Sequence, residues 1–267
     1  MKPLKDKKLF LLDMDGTIYL DHLVFEGTHD FLNQIKKNGG RYLFVTNNSS
    51  KSVDAYVKKL EGLGIDVTAD AFLTSTDATI LYLKQNFSGR TFYAFGTESF
   101  VNQLSGAGID VTVDRDRHID GIVMGNDNEL TFKKLEDACI LLKEDIAYIA
   151  TNPDWVCPTA FGYVPDCGSV AEMLYRATGK RPLFIGKPQP DMLNLAIEKF
   201  GYDKDDALMV GDRVYTDIAA GYNAGIDTVF VLSGEGTIED AKNSDTKPTY
   251  IMNGIKDLFL EIKGEEI

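Results

Sequence analysis

The sequence predicts an α/β fold in which a doubly wound, mostly parallel, Rossmann-like core sheet carries an inserted α/β cap domain. Three observations support this fold. Short apolar runs of strand length alternate with longer amphipathic stretches, several of these stretches end in glycine, and the middle of the chain repeats the alternation. At the usual ~150 residues per domain, the 267-residue chain has room for about 1.8 domains, which agrees with a core and one insert.

The predicted core elements alternate between strands and helices. Strands are expected at short apolar runs, and helices where apolar residues recur with the helical period. The strands are Lys8–Leu12, Arg41–Val45, Leu183–Ile185, Ala207–Val210 and Thr228–Leu232. The helices include Thr28–Lys37, Ser52–Leu63, Asp191–Phe200 and Asp217–Asn223.

The core domain is predicted from residues 1–78 and 182–267, and the cap domain from residues 79–181. A capping box, Ser169-x-x-Glu172, is typical of a helix start and predicts that a helix of the insert opens there. The insert also has strand candidates of its own, at Thr91–Phe95, Gly121–Met124 and Ala147–Ala150.

Acidic residues outnumber basic ones, with 41 Asp and Glu against 28 Lys and Arg, so the formal net charge is −13. Such a charge repels nucleic acid phosphates and anionic membrane surfaces, and neither a nucleic acid polymer nor a membrane is an expected partner. It gives no attraction to a phosphorylated metabolite either. A phosphate substrate would therefore need a metal ion or a few local cations.

The signals of export and of a disulfide framework are weak. The three cysteines form no C-x-x-C pair, and the apolar run Leu9–Leu12 covers only four residues, whereas a signal peptide needs about 7–15. No apolar stretch approaches the ~20 residues of a transmembrane helix. We therefore expect a soluble, cytoplasmic protein.

Polar side chains follow four of the predicted core strands at their carboxyl ends, the edge where open parallel sheets bind ligands. Each would be partly desolvated there, which is costly without a function. The pattern therefore predicts a functional site. Its members are Asp13 and Asp15 after the first strand, Thr46-Asn47-Asn48 after the second, Lys187 after the third and Asp212 after the fourth.

The carboxylates of this edge suit covalent and metal-assisted chemistry. Asp13 can attack an electrophile to form an acyl intermediate, and Asp15 can act as a general acid because two carboxylates that share a site favour protonation of one. Asp13 and Asp212 offer the hard oxygen ligands that Mg²⁺ prefers. Lys187 can neutralise a transferring group, and Asp217 can hold a metal-bound water or orient Lys187.

The segment after the second strand predicts an anion cradle. The Thr46 hydroxyl, Asn47 and the amides that follow Asn48 would lie at a helix N-terminus, where backbone N–H groups favour anions. The same residue types are typical of a helix cap, and both interpretations can hold together.

Four motifs in order resemble those of the haloacid dehalogenase superfamily, phosphatase branch. The long insert resembles the type-two cap of that superfamily, and Ala150-Thr151-Asn152-Pro153-Asp154 is similar to the NagD-like, p-nitrophenylphosphatase-like subgroup. The resemblance covers nearly the whole chain. Its motifs are Asp13-Met14-Asp15-Gly16-Thr17, Thr46-Asn47-Asn48, Gly186-Lys187-Pro188 and Gly211-Asp212-Arg213-x-x-Thr216-Asp217.

The resemblance implies a role for each matching residue. Asp13 would be the nucleophile and Asp15 the general acid and then base. Mg²⁺ would be bound by Asp13, the main-chain carbonyl of Asp15 and Asp212, with Asp217 supporting the metal shell. The phosphate would be held by Thr46, Asn47 and Lys187. The second aspartate, Asp15, favours phosphoryl transfer over dehalogenation.

The expected function is Mg²⁺-dependent hydrolysis of small phosphomonoesters, such as nucleotide, sugar or aryl phosphates, through an aspartyl-phosphate. Two alternatives remain at this point: a phosphotransferase or mutase of the same fold, and a non-catalytic sensor of a phosphorylated ligand. The specificity candidates are Asn48 and the cap residues Asn152, Asp154 and Trp155. A large cap indicates a small phosphorylated metabolite as the partner, and a homodimer through the cap would fit the family.

Overall fold

Residues 2–159 and 161–264 are described in the computed structural model of the protein, and their contacts separate two units. The first unit contains residues 2–46, 57–73 and 187–264, and the second contains residues 47–56 and 74–186 without residue 160. The second unit thus takes in a short segment that precedes the predicted insert. Each unit is built around one sheet of its own.

The sheet of the first unit has six strands, and β1 lies near its middle. Leu9 of β1 lies opposite Ala207 on one side and Arg41 on the other, and both neighbours run parallel to it. β1 is buried along its whole length, which agrees with its continuous apolar sequence. The strand order is β15 (Tyr250–Met252), β14 (Asp227–Val231), β13 (Ala207–Gly211), β1 (Leu9–Leu12), β4 (Arg41–Thr46) and β5 (Phe72–Thr74).

Amphipathic helices follow these strands. In α1, Phe31, Leu32 and Ile35 are buried at helical spacing, while Lys36 and Lys37 lie in its last turn, where cations are favourable. The helices are α1 (Thr28–Lys37), α2 (Val53–Gly62), α7 (Asp191–Phe200), α8 (Ala219–Ala224), α9 (Ile238–Asn243) and α10 (Ile255–Lys263). A small antiparallel hairpin, β2 (Tyr19–Leu20) and β3 (Leu23–Val24), follows the turn after β1.

The sheet of the second unit has five parallel strands. Its order is β12 (Leu183–Phe184), β9 (Ala147–Ala150), β8 (Gly121–Met124), β6 (Thr91–Phe95) and β7 (Asp110–Thr112). Its helices are α3 (Ser75–Asn86), α4 (Glu98–Gly106), α5 (Phe132–Leu141) and α6 (Cys167–Thr178), and a hairpin joins β10 (Val156–Thr159) to β11 (Gly162–Pro165). The predicted α/β fold with a mostly parallel central sheet is confirmed.

The expectation that Leu183–Ile185 forms a strand of the core sheet is wrong. Leu183 and Phe184 pair with Ile149 and Ala150 in the sheet of the second unit. The pairing continues past the strand, because the Gly186 amide donates to the Thr151 carbonyl at 2.7 Å. The chain therefore enters the first unit only at Lys187.

Two predicted helix starts are also wrong. α6 opens at Cys167, whose amide is capped by the Asp166 carboxylate, so Ser169 lies inside the helix and Glu172 instead pairs with arginines. Asp166 offers an oxygen one turn earlier than the capping box does, which decides the boundary. The helix expected from Asp217 begins earlier, with a π-helical turn over Val214–Ile218.

Asp137 of α5 is a buried carboxylate in the second unit. It accepts hydrogen bonds from Lys133 at 2.6 Å, Arg115 at 2.8 Å and the Tyr93 hydroxyl at 3.2 Å. Burial opposes its charged form, but the hydrogen bonds from Lys133 and Tyr93 and the nearby cations outweigh that effect and hold the pKa of Asp137 below its usual value. Asp137 therefore stabilises the second unit as an anion.

We expect Asp137→Asn to lower the free energy of unfolding at neutral pH by about 1.5–3 kcal/mol, the range for hydrogen bonds to a charged group. Because the pKa is lower in the folded than in the unfolded chain, this stabilisation is complete above the unfolded pKa and is lost as pH falls through the folded pKa. Urea unfolding at several pH values should show the two proteins converging in acid. The exposed neighbour variant Glu136→Gln is the control, and a gap independent of pH would contradict the assignment.

No helix in the described part of the chain is both long and apolar enough to cross a membrane. The cytoplasmic location stays a prediction.

Candidate active site

Asp13 follows β1 directly and continues its pairing, since the Asp13 amide donates to the Val210 carbonyl at 2.9 Å. The chain then turns sharply: the Met14 carbonyl accepts from the Ile18 amide, and Gly16 has φ of +92°, a conformation that favours glycine. The turn fixes the Asp13 side chain at the carboxyl end of the strand.

Lys187 lies between two carboxylates. Its Nζ is 2.7 Å from Asp13 Oδ1 and 2.6 Å from Asp217 Oδ1, and it also donates to the Val45 carbonyl at 2.9 Å. The lysine is only 2% exposed. Burial alone would lower the pKa of Lys187, but the charges of Asp13 and Asp217 outweigh it and hold that pKa above its usual value. Lys187 is therefore a fixed, permanently charged cation.

The π-helical turn after β13 brings Asp217 back to the strand end. Asp217 is buried, and its second carboxylate oxygen accepts from the Arg213 amide at 3.1 Å. A side chain at Gly211 would collide with Asp217, so the close approach depends on that glycine. The expectation that Asp217 orients Lys187 agrees with this geometry.

Asp212 is held by the loop that follows β14. The Glu235 amide donates to Asp212 Oδ2 at 2.7 Å, and the Gly236 amide donates to the Asp212 carbonyl at 3.0 Å. A Cβ atom at Gly16 or Gly234 would collide with the Asp212 carboxylate. The Asp212 carboxylate is thus approached by two glycines and one backbone amide, and the Thr17 hydroxyl lies 3.5 Å from its Oδ1.

The carboxylates of Asp13, Asp212 and Asp217 can offer one ligand atom each, with these atoms all within 4.8 Å of one another. Burial raises the pKa of Asp13 well above its usual value, and burial and the neighbouring Asp217 raise the pKa of Asp212 to about 7. Two buried carboxylates and the partly exposed Asp13 carboxylate near one ammonium group leave excess negative charge. The donor set therefore fits a divalent cation with oxygen ligands, as expected for Mg²⁺.

Asp15 points elsewhere. Its side chain is about one-third exposed and contacts the Tyr19 hydroxyl and Lys59, and it does not join the carboxylate group. A partly exposed carboxyl group suits proton exchange with a ligand or with water. Its expected part in metal binding, through the main-chain carbonyl, stays a prediction.

The predicted anion cradle starts at the end of β4. Thr46 is buried there, and Asn47 is buried next to it in the chain. The Asn47 carbonyl accepts from the Ser75 hydroxyl at 2.6 Å, while Asn48 Oδ1 accepts from the amide and the hydroxyl of Ser50 at 2.9 and 2.7 Å. Asn48 therefore stabilises a turn that precedes the helix. Because α2 begins at Val53 and the Ala55 amide donates to the Ser52 hydroxyl at 3.3 Å, Ser52 occupies the cap position, and the cap interpretation of Thr46-Asn47-Asn48 is wrong. The contacts of Thr46 and Asn47 with phosphate stay predictions.

The three specificity candidates of the insert differ in exposure. Asn152 is fully buried and donates to Asp166 at 3.2 Å, and Asp154 is buried and accepts from the Asn47 amide at 3.2 Å. Both therefore stabilise loops of the second unit. Trp155 is 53% exposed and, of the three, is the residue best able to contact a ligand.

Two family profiles match the chain. One, described as haloacid dehalogenase-like hydrolase, matches residues 10–110, and the other, described as HAD-hydrolase-like, matches residues 184–258. An acid sugar phosphatase of Staphylococcus aureus (strain MRSA252) is 34% identical over 260 residues, which cover 97% of this chain and 100% of that protein. The chain belongs to the haloacid dehalogenase-like hydrolase family.

Solved structures of haloacid dehalogenase-like hydrolases agree. The 4-nitrophenylphosphatase of Thermotoga maritima has a TM-score of 0.91 and 39% identity, with 97% of this chain and 98% of that chain covered. A glycerol phosphate phosphatase of Mycobacterium tuberculosis, solved in complex with magnesium, has a TM-score of 0.90 and 29% identity, with 98% and 80% covered. The resemblance to the NagD-like, p-nitrophenylphosphatase-like subgroup and the expectation of a phosphatase-type enzyme are confirmed.

Two groups of residues at this haloacid dehalogenase-like site were missed by sequence reasoning. The first group is Tyr19 and Lys59, which contact Asp15. The second is Ser233, which lies in the loop that holds Asp212 and whose hydroxyl donates to the Gly16 carbonyl at 2.7 Å. Lys59 lies in the middle of a helix, 44 positions from Asp15, and nothing in its local pattern indicates that contact. For the loop that contains Ser233, the glycines on either side of Glu235 are a usable signal in the sequence, because they indicate that the backbone approaches another group closely.

Proposed function

We propose that this protein is a Mg²⁺-dependent hydrolase of small phosphomonoesters that works through an aspartyl-phosphate on Asp13. One observation carries the proposal. A buried lysine lies between the carboxylates of Asp13 and Asp217, and Asp212 completes a group of ligand atoms suited to a divalent cation. Such a site offers a nucleophile beside concentrated positive charge, as phosphoryl transfer requires.

The chemistry proceeds in two displacements at phosphorus. A carboxylate oxygen of Asp13 attacks, the ester P–O bond breaks, and Asp15 donates a proton to the departing alkoxide. Asp15, now ionised, then takes a proton from a water molecule as that water attacks the phosphorus. Phosphate leaves and the Asp13 carboxylate is regenerated.

Lys187 stabilises this sequence in both displacements. Its ammonium group lies 2.7 Å from Asp13, so it offsets the charge that spreads over the phosphoryl oxygens. The ion would be held by Asp13, the main-chain carbonyl of Asp15 and Asp212, with Asp217 supporting it. When bound, Mg²⁺ supplies further positive charge next to those oxygens. Thr46 and Asn47 would hold the phosphate from the end of β4.

The relatives guide the choice of substrate class. Their names give sugar phosphates, 4-nitrophenyl phosphate and glycerol phosphate as substrates of those proteins, and one was solved with magnesium and also with calcium. We propose the same broad class, small phosphate monoesters that include sugar, nucleotide and aryl phosphates. A homodimer through the cap stays a prediction.

A phosphate-release screen tests the proposal. The panel contains sugar, nucleotide, glycerol and aryl phosphates, each assayed with Mg²⁺ and with EDTA. We expect turnover of several esters with Mg²⁺ and its loss with EDTA, because the uncompensated carboxylates then repel the substrate.

Three results would contradict the proposal or part of it. Tight binding of a phosphorylated ligand without turnover would indicate a sensor. Product analysis that finds the phosphoryl group on an added hydroxyl acceptor instead of in free phosphate would indicate a transferase. Equal turnover in EDTA would contradict the metal requirement.

A further inference from the structure

We propose that Tyr19 and Lys59 are positioning residues that together orient the Asp15 carboxyl group for proton transfer. The inference rests on the proposed function, in which Asp15 donates a proton to the leaving group. It concerns residues outside the four motifs and outside the carboxylate group that fits the metal.

Each oxygen of Asp15 has its own donor. The Tyr19 hydroxyl donates to Oδ2 at 3.2 Å, and Lys59 Nζ lies 3.4 Å from Oδ1. The two donors come from separate elements, β2 and α2. A carboxyl group held at both oxygens by two independent elements has little freedom to rotate about its side-chain bonds.

The two donors also support each other. Lys59 Nζ lies 3.9 Å from the centre of the Tyr19 ring, a cation–π contact, and Tyr19 itself is fully buried. The backbone reinforces this arrangement, because the Gly16 amide donates to the Tyr19 carbonyl at 2.8 Å and an isolated β-bridge pairs Asp15 with Tyr19. Asp15, Tyr19 and Lys59 therefore form one connected unit.

Orientation matters because a proton is transferred over a short distance. A general acid must come within hydrogen-bond reach of the leaving oxygen, and a misplacement of about 1 Å can cost on the order of 10²-fold in rate. Asp15 is partly exposed and lies next to a turn, so without Tyr19 and Lys59 it would sample several rotamers.

The leaving group separates positioning from a structural role. Nitrophenolate departs without a proton, whereas an alkoxide needs one. The value of kcat/KM reports the steps up to departure of the alcohol. A misplaced Asp15 should therefore lower kcat/KM for an aliphatic ester much more than for 4-nitrophenyl phosphate, while general loss of structure would lower both alike.

The experiment compares Tyr19→Phe and Lys59→Met with the intact protein, using 4-nitrophenyl phosphate and the best aliphatic ester of the panel. Tyr19→Phe keeps the ring and removes only the hydroxyl. We expect kcat/KM to fall about tenfold or more for the aliphatic ester, with a change within about twofold for 4-nitrophenyl phosphate. Lys59→Arg should keep most of the kcat/KM for the aliphatic ester that Lys59→Met loses. Lys58→Met, at the exposed neighbouring lysine, should leave kcat/KM for both esters unchanged.

Equal losses on both esters would overturn the inference, and so would unchanged values on both. Asp15→Asn in the same assay separates this inference from the proposed function. If Asp15→Asn shows the leaving-group dependence and Tyr19→Phe does not, only the positioning role fails. If Asp15→Asn leaves the aliphatic ester unaffected, the proposed acid role of Asp15 fails and the inference fails with it.

Discussion

Replacing Asp13 with asparagine is expected to abolish phosphate release, with a loss on the order of 10⁴-fold or more, as for removal of other catalytic nucleophiles. The carboxamide has nearly the same shape but is not a nucleophile, so the aspartyl-phosphate cannot form. Phosphate release from 4-nitrophenyl phosphate gives the rate. When the intact enzyme turns over an ester that is radioactively labelled in its phosphoryl group, acid quenching should trap label on the protein. The variant should trap none.

Two controls accompany the measurement on Asp13→Asn. Asp21→Asn, at an exposed turn position of the hairpin with φ of +53°, should keep full activity, since asparagine tolerates that conformation. Thermal unfolding should show Asp13→Asn to be folded. Turnover by the variant comparable with the intact enzyme would contradict covalent catalysis at this residue.

Replacing Lys187 with methionine is expected to damage both activity and stability. Methionine fills much of the same space without the charge, so the carboxylates of Asp13, Asp212 and Asp217, two of them buried, lose the ammonium group of Lys187. Removing one partner of a buried ion pair costs about 3–5 kcal/mol. Loss of a fixed charge at the transferring group should lower kcat by about 10²–10³-fold.

Metal dependence makes this prediction specific. In EDTA the variant should unfold at lower urea concentration than the intact protein, and Mg²⁺ should stabilise the variant more than the intact protein, because the ion replaces part of the missing charge. Lys199→Met, at an exposed lysine of α7, is the control. Equal stability of variant and intact protein in EDTA would contradict the electrostatic account.

Local pattern was sufficient for much of the first sheet. β1, β4, β13 and β14 were predicted to within about a residue or two, because strands buried on both faces have continuous apolar sequences. Leu183–Ile185 was assigned to the wrong sheet for the same reason. An apolar run reveals that a strand is buried, and it contains no information about which sheet covers it.

The same distinction applies to the candidate site. Asp13, Asp212 and Asp217 were predictable because the parallel strands β1 and β13 and the loops that follow them deliver polar groups to one edge. Lys187 was predicted with them, although the strand that precedes it pairs in the sheet of the second unit. Tyr19 and Lys59 were not, because their contacts with Asp15 depend on how a hairpin and a helix pack. Asn152 was named as a specificity candidate from a segment similar to the NagD-like subgroup, and local sequence gave no sign that it would be fully buried and bonded to Asp166.

The position of β1 between β4 and β13 has a consequence for synthesis on the ribosome. β1 can pair with β4 once residue 46 has emerged, but its other neighbour begins at residue 207. The five strands of the second sheet all lie between residues 91 and 184, so that sheet can form while β1 still has an open apolar edge. An open edge invites pairing with other chains. Until β13 has been synthesised, one edge of β1 therefore has no partner from its own chain, and Asp13 and Asp212 cannot come together.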